Sequence, residues 1–142
     1  MHAGSRRLQG RSVRRWAPVA VYMAVIFALS SISRPPDLPS AIGDKGGHAL
    51  LYSGLATLFV RALAGGWWQP FGARTGFAAV AYSTIYGATD EVHQMFVPFR
   101  TADLADLAAD ALGAAAAVLV LYAAHTIRTR FGRSFPIGNR KR

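Results

Sequence analysis

Three groups of polar side chains interrupt an otherwise apolar chain: Asp44-Lys45-x-x-His48, Asp90-Glu91-x-His93-Gln94 and Arg100-x-x-Asp103-x-x-Asp106-x-x-x-Asp110. Carboxylates beside a histidine can hold a divalent cation. An arginine suits phosphate because its planar fork donates paired hydrogen bonds. Each group abuts or enters a stretch near the length of a bilayer crossing. An ionisable group at the centre of a membrane helix costs about 2.5–3.5 kcal/mol, so such groups face protein or water and carry partners. The pattern points to one shared polar site, with Asp44, His48, Asp90, Glu91, Gln94, Arg100, Asp106 and Asp110 as its candidate residues.

The elements that must position these residues are helices. Of the 142 residues, 52% are hydrophobic and only 16% charged, a composition that fits a small membrane domain better than a soluble one. Four apolar runs, 16–32, 46–63, 76 to about 96 and 104–124, are each close to the roughly 20 residues that cross a bilayer. The expected fold is an all-α polytopic bundle of about four transmembrane helices. Residues 1–15 form a basic N-terminal segment, 16–124 the transmembrane domain and 125–142 a basic tail. Breaks are expected at Arg34-Pro35-Pro36, Gly65-Gly66-Trp67-Trp68-Gln69-Pro70 and Pro98. With no cysteine in the chain, a disulfide framework and a thiolate metal site are both excluded.

Charge sets the expected orientation. Thirteen of the 16 basic residues lie in three segments: Arg6, Arg7, Arg11, Arg14 and Arg15; Arg61 and Arg74; and Arg128, Arg130, Arg133, Arg140, Lys141 and Arg142. The positive-inside rule makes these cytoplasmic, leaving both termini inside. All seven acids, including Asp37, fall on the opposite side. The net charge of +9 is therefore topological, and no nucleic-acid partner is expected. The first run, ending Ala28-Leu29-Ser30, also fits a signal peptide; its cleavage would leave the remaining orientation unchanged. Trp16, Tyr22, Trp67 and Trp68 read as interfacial anchors, and His2 and His125 as incidental.

Helical spacing places Tyr86, Asp90 and Gln94 on one face with His93 beside it, while Glu91 projects about 100° away and needs a different partner. Asp103, Asp106 and Asp110 form an i, i+3, i+7 stripe that Gly113 and Ala117 continue, and Ala109 and Gly113 make a small-x-x-x-small pair suited to close packing. Each polar group also has a structural reading. Asp44 can cap its helix, His48 can be a hydrogen-bonded packing residue, and Arg100 can neutralise Asp103 or Asp106. Asp90 and Glu91 can hold helices together through hydrogen bonds.

The order Asp44-Lys45-x-x-His48 with Tyr52, then Asp90-Glu91-x-x-Gln94-x-Phe96-x-Pro98-x-Arg100, then Asp106 and Gly113 resembles the VanZ-like family. The resemblance covers most of residues 40–120. It implies an accessory membrane protein linked to reduced teicoplanin sensitivity, a glycopeptide-resistance phenotype, and it supplies no reaction. Asp110 stands where that family often has asparagine. Combined with the expected orientation, the resemblance suggests an outward-facing site for a lipid-linked cell-wall intermediate or the glycopeptide itself. The alternative is a metal-assisted membrane enzyme acting on a lipid-linked phosphate, with His48, Asp90, Glu91 and Asp110 around a divalent metal. Against it, the chain has no HExxH-like pair. Transport lacks a repeat or broken-helix signature.

Overall fold

Apolar runs closed by glycine and proline give four helices among the described residues of the computed structural model: α1 (Ala3–Ser30), α2 (Gly43–Ala64), α3 (Ala73–Gln94) and α4 (Leu104–Arg133). The structure describes residues 3–34 and 43–133, with side chains for residue 10, 12–34 and 43–130. The expected Pro35-Pro36 break, Asp37, His2, Arg140, Lys141 and Arg142 lie outside the described residues, as do the side chains of Arg6, Arg7, Arg11 and Arg133.

The helices run up, down, up and down. α2 is central and packs against all three others, while α1 touches α2 and α3 but not α4. The all-α class is as expected. α1 begins ahead of its apolar run and α4 continues past the end of its own, with no proline in either flank to stop the helix. Pro18 lies inside α1, where it cannot bond the Arg14 carbonyl one turn back. Arg61 on α2 makes good part of that loss, donating to the carbonyls of Arg14 and Arg15 at 3.4 and 3.1 Å.

α2 ends in a Schellman motif. Gly65 has φ +93, its N–H reaches the Ala62 carbonyl, and the Gly66 N–H reaches that of Arg61. The left-handed position is why glycine stands there.

Three helical segments, Ser12–Ser30, Gly43–Ala64 and Leu104–Arg130, are long and apolar enough to cross a membrane. α3 matches them in length but misses on composition, because Arg74, Ser83, Asp90, Glu91, His93 and Gln94 dilute its apolar content. Its polarity faces inward, however. Ser83, Asp90, Glu91 and Gln94 are buried while Phe77, Tyr82 and Ile85 are 77%, 50% and 61% exposed, the reverse of a water-soluble helix.

The two ends of the bundle differ in charge. Every described acid lies where α1 and α3 end and α2 and α4 begin. Arg14, Arg15, Arg61, Arg74, Arg128 and Arg130 lie at the other end, with Arg61 over the Trp67 ring at 5.3 Å and Arg128 over Trp68 at 5.0 Å. Tyr22 departs from the expected anchor role: its ring packs onto α2 at Gly54, where an added Cβ would strike the phenol.

Candidate functional site

The polar end is built along two seams. On the first, the parallel helices α2 and α4 are joined by a ladder. The Lys45 ammonium donates to Asp103 Oδ2 at 2.8 Å and Asp106 Oδ1 at 2.9 Å. One turn deeper, His48 Nδ1 lies 3.1 Å from Asp110 Oδ1, and His48 Nε2 lies 3.9 Å from Asp106 Oδ2. Below that, Gly113 meets the backbone of Ala49. The acidic stripe read from the sequence therefore faces Lys45 and His48, with its small-residue continuation forming the close contact beneath.

On the second seam, α1 closes over α3. Ser30 Oγ donates to Asp90 Oδ1 at 2.6 Å, and Gln94 Nε2 donates to Asp90 Oδ2 at 3.2 Å. Ser31 Oγ lies 3.0 Å from His93 Nε2, and Tyr86 donates to the Met23 carbonyl at 2.7 Å. The different partner that Glu91 required is the backbone of Asp103, whose N–H donates to Glu91 Oε2 at 2.7 Å. Glu91 thus ties the α3–α4 connection to α3.

That connection contains a tight turn. Pro98 and Phe99 are its central residues, the Arg100 N–H bonds the Val97 carbonyl at 3.1 Å, and Phe99 has φ 65. A type II turn accepts proline first but favours glycine second. Phenylalanine there holds the backbone in a costly left-handed state, and its ring stacks under the Arg34 guanidinium at 4.4 Å.

Between the seams lies a cavity of about 670 Å³, whose wall includes Arg34, Asp44, His48, Asp90, Gln94 and Arg100. Of the expected site residues, Asp44, His48, Asp90, Gln94 and Arg100 line it. Glu91, Asp106 and Asp110 are buried and support it from the second row. Asp44 stands in the first turn of α2, where its charge complements the helix dipole. Of the two roles open to Arg100, that of counter-ion to Asp103 or Asp106 is taken instead by Lys45, which reaches one oxygen of each carboxylate. The Arg100 Nε is buried and without a hydrogen bond, as are Tyr52 Oη, Glu91 Oε1 and Asp110 Oδ2.

Sequence reasoning missed Lys45 as the bridge and missed Ser30, Ser31 and Arg34 altogether. Serines at the end of an apolar run gave no signal, and the partner of Lys45 is 58 residues away. Among the described residues, the group whose ligand atoms lie within 4.8 Å of one another is Asp44, His48 and Asp106. Of the expected metal set His48, Asp90, Glu91 and Asp110, only His48 is part of it.

The Lys45 ammonium holds the exposed Asp103 carboxyl below its ordinary value, helped by the Ala105 N–H. A depressed carboxyl stabilises the fold above its unfolded pKa and loses that contribution as pH falls through the folded one. The thermal midpoint of the purified protein is therefore expected to be insensitive to this pair from pH 5 to 8 and to fall below about pH 4. Lys45→Met should flatten that acid limb; an unchanged limb would rule the pair out as its source.

A family model described as VanZ/LLP1 matches residues 11–125, a segment that contains every residue of both seams and of the cavity wall. No curated protein and no solved structure shows significant similarity to the chain.

Proposed function

This chain belongs to the VanZ/LLP1 family, and from that premise we propose that it is a multi-pass protein of the bacterial plasma membrane, an envelope accessory protein whose outward-facing cavity binds a phosphate-bearing lipid headgroup. α3 crosses with its three apolar neighbours, its polar residues turned into the bundle. The positive-inside rule places the arginine-rich end in the cytoplasm and the acidic end outside. Lipid-linked cell-wall intermediates present phosphates at that outer face, and holding one there is the route by which the protein would alter teicoplanin sensitivity.

Arg100 carries this reading. Arg100 is part of the cavity wall, its Nε is buried without an acceptor, and Asp103 and Asp106 accept from Lys45 instead. An unmet charged donor costs more than the roughly 1–3 kcal/mol of a neutral one, and a phosphate oxygen would satisfy it in a charge-assisted bond. Arg34, held over Phe99 on the same wall, supplies a second cation.

The test is thermal stabilisation of the purified protein by a polyisoprenyl diphosphate, with the uncharged polyisoprenol as control. At a hundredfold excess over Kd, about 2.7 kcal/mol of stabilisation is expected. Arg100→Gln should weaken binding by about 2 kcal/mol or more, roughly thirtyfold, without lowering the ligand-free midpoint. In a sensitive host at matched membrane abundance, the same variant should lose teicoplanin protection. Equal stabilisation by the uncharged lipid, or full binding by Arg100→Gln, would sink the proposal.

A further inference from the structure

We propose that Asp44, His48 and Asp106 form a binding site for a divalent transition-metal cation at the edge of the cavity. Their ligand atoms lie within 4.8 Å of one another. Two come from the first turn and a half of α2 and one from α4, so the site is held by two packed helices rather than by a loop.

The orientation of His48 points to a ligand independently of the carboxylates. The residue is 8% exposed and lines the cavity. Its Nδ1 is engaged by Asp110 Oδ1 at 3.1 Å. In the neutral imidazole, a carboxylate at Nδ1 holds the proton there and leaves Nε2 as a lone-pair donor. Nε2 has no hydrogen bond; what faces it, at 3.9 Å, is Asp106 Oδ2. In that tautomer the Nε2 lone pair and a carboxylate oxygen face each other. A cation between them satisfies both, and the buried carboxylate behind the imidazole is the support that metal-bound histidines carry.

The same division holds for Asp106. Its Oδ1 accepts from Lys45, and that bond orients Oδ2 toward His48. Asp44 is exposed, so a rotamer change can bring its carboxylate the last distance to a cation that takes its ligands at about 2.0–2.2 Å. Asp44, Asp103, Asp106 and Asp110 outnumber the three positive charges nearby, Lys45, Arg34 and Arg100, and favour a dication. One imidazole with two carboxylates suits Mn²⁺ or Zn²⁺ rather than Ca²⁺ or Mg²⁺, which prefer oxygen alone. Three protein ligands leave a coordination position open on the cavity side, where Arg100 and Arg34 also stand.

The experiment uses the metal alone, so it succeeds or fails independently of the headgroup reading. Purified protein freed of metal by chelator dialysis is titrated with Mn²⁺ and followed by electron paramagnetic resonance. One Mn²⁺ per chain is expected, displaced by Zn²⁺, with hyperfine coupling to one imidazole nitrogen. His48→Gln and Asp106→Asn should each reduce affinity at least tenfold, and Asp110→Asn by about 10–100-fold through its hold on the imidazole. His93→Gln, whose ring bonds Ser31, should bind as the parent does. Bound Mn²⁺ without nitrogen coupling in the parent protein would overturn the assignment even if every variant failed to fold. So would titration without stoichiometric binding, or variants with undiminished affinity.

Discussion

Gly113→Ala, a change of one methyl group in an alanine-rich helix, is expected to remove most folded protein from the membrane fraction. A Cβ at Gly113 would run into the carbonyl oxygen, carbonyl carbon and Cα of Ala49. Side chains can turn away from an added methyl, and overpacking in that case costs about 1–3 kcal/mol. The backbone of a packed helix cannot turn away, so α2 and α4 must separate. Separation also lengthens the Lys45–Asp106 and His48–Asp110 contacts on the same seam. The cost should reach or exceed about 3 kcal/mol, a large share of the roughly 5–15 kcal/mol by which domains are stable. Gly54→Ala is the internal comparison. There the added methyl meets only the end of the Tyr22 side chain, which can yield, and the loss should be about 1 kcal/mol. Membrane abundance by quantitative blotting and the monodisperse fraction after detergent extraction read both effects. Equal behaviour of the two variants would show that the α2–α4 seam has slack that its geometry does not suggest.

This contact also shows how far the sequence could be read. The stripe Asp103, Asp106, Asp110, Gly113 is visible as helical spacing, and the helix it faces is the one that begins Asp44-Lys45-x-x-His48. Period alone fixes which side chains share a face; it does not fix rotation against a partner. Lys45 was therefore legible as a charge near the interface and not as the bridge between two acids. Glu91 illustrates the opposite case. Its displacement of about 100° from the Asp90 face required a partner off that face, and the partner proved to be a backbone amide, which no pattern of side chains can announce. For Arg100 the sequence leaves two readings open, counter-ion to Asp103 or Asp106 and recognition of an anion. Those carboxylates are instead reached from α2, and the arginine is left facing the cavity. α1 was the least legible contributor, because Ser30 and Ser31 are ordinary residues at the end of an apolar run until Asp90 and His93 are brought against them.

Asp110 gives the second large effect, and it separates scaffold from chemistry. The residue is 1% exposed and bonded to a His48 that is itself 8% exposed. Removing one member of a buried pair strands the other, at a cost of about 3–5 kcal/mol. Asp110→Ala should accordingly lower the thermal midpoint by about 10 °C or more, at roughly 2–4 °C per kcal/mol for a chain of this size. Asp110→Asn keeps an oxygen in place to accept from Nδ1 and should lose no more than a few degrees. Asparagine at this position is also what the family resemblance implies is tolerated. His48→Ala in the Asp110→Ala background should cost far less than either change alone, because the partner is already gone. If the two single losses simply add, the 3.1 Å contact is not a coupled pair, and the orientation of His48 must come from packing. If they couple, Asp110→Asn becomes the decisive variant. It preserves the fold while exchanging a full negative charge behind the imidazole for a neutral amide, so a weakened cation affinity in that protein cannot be attributed to unfolding.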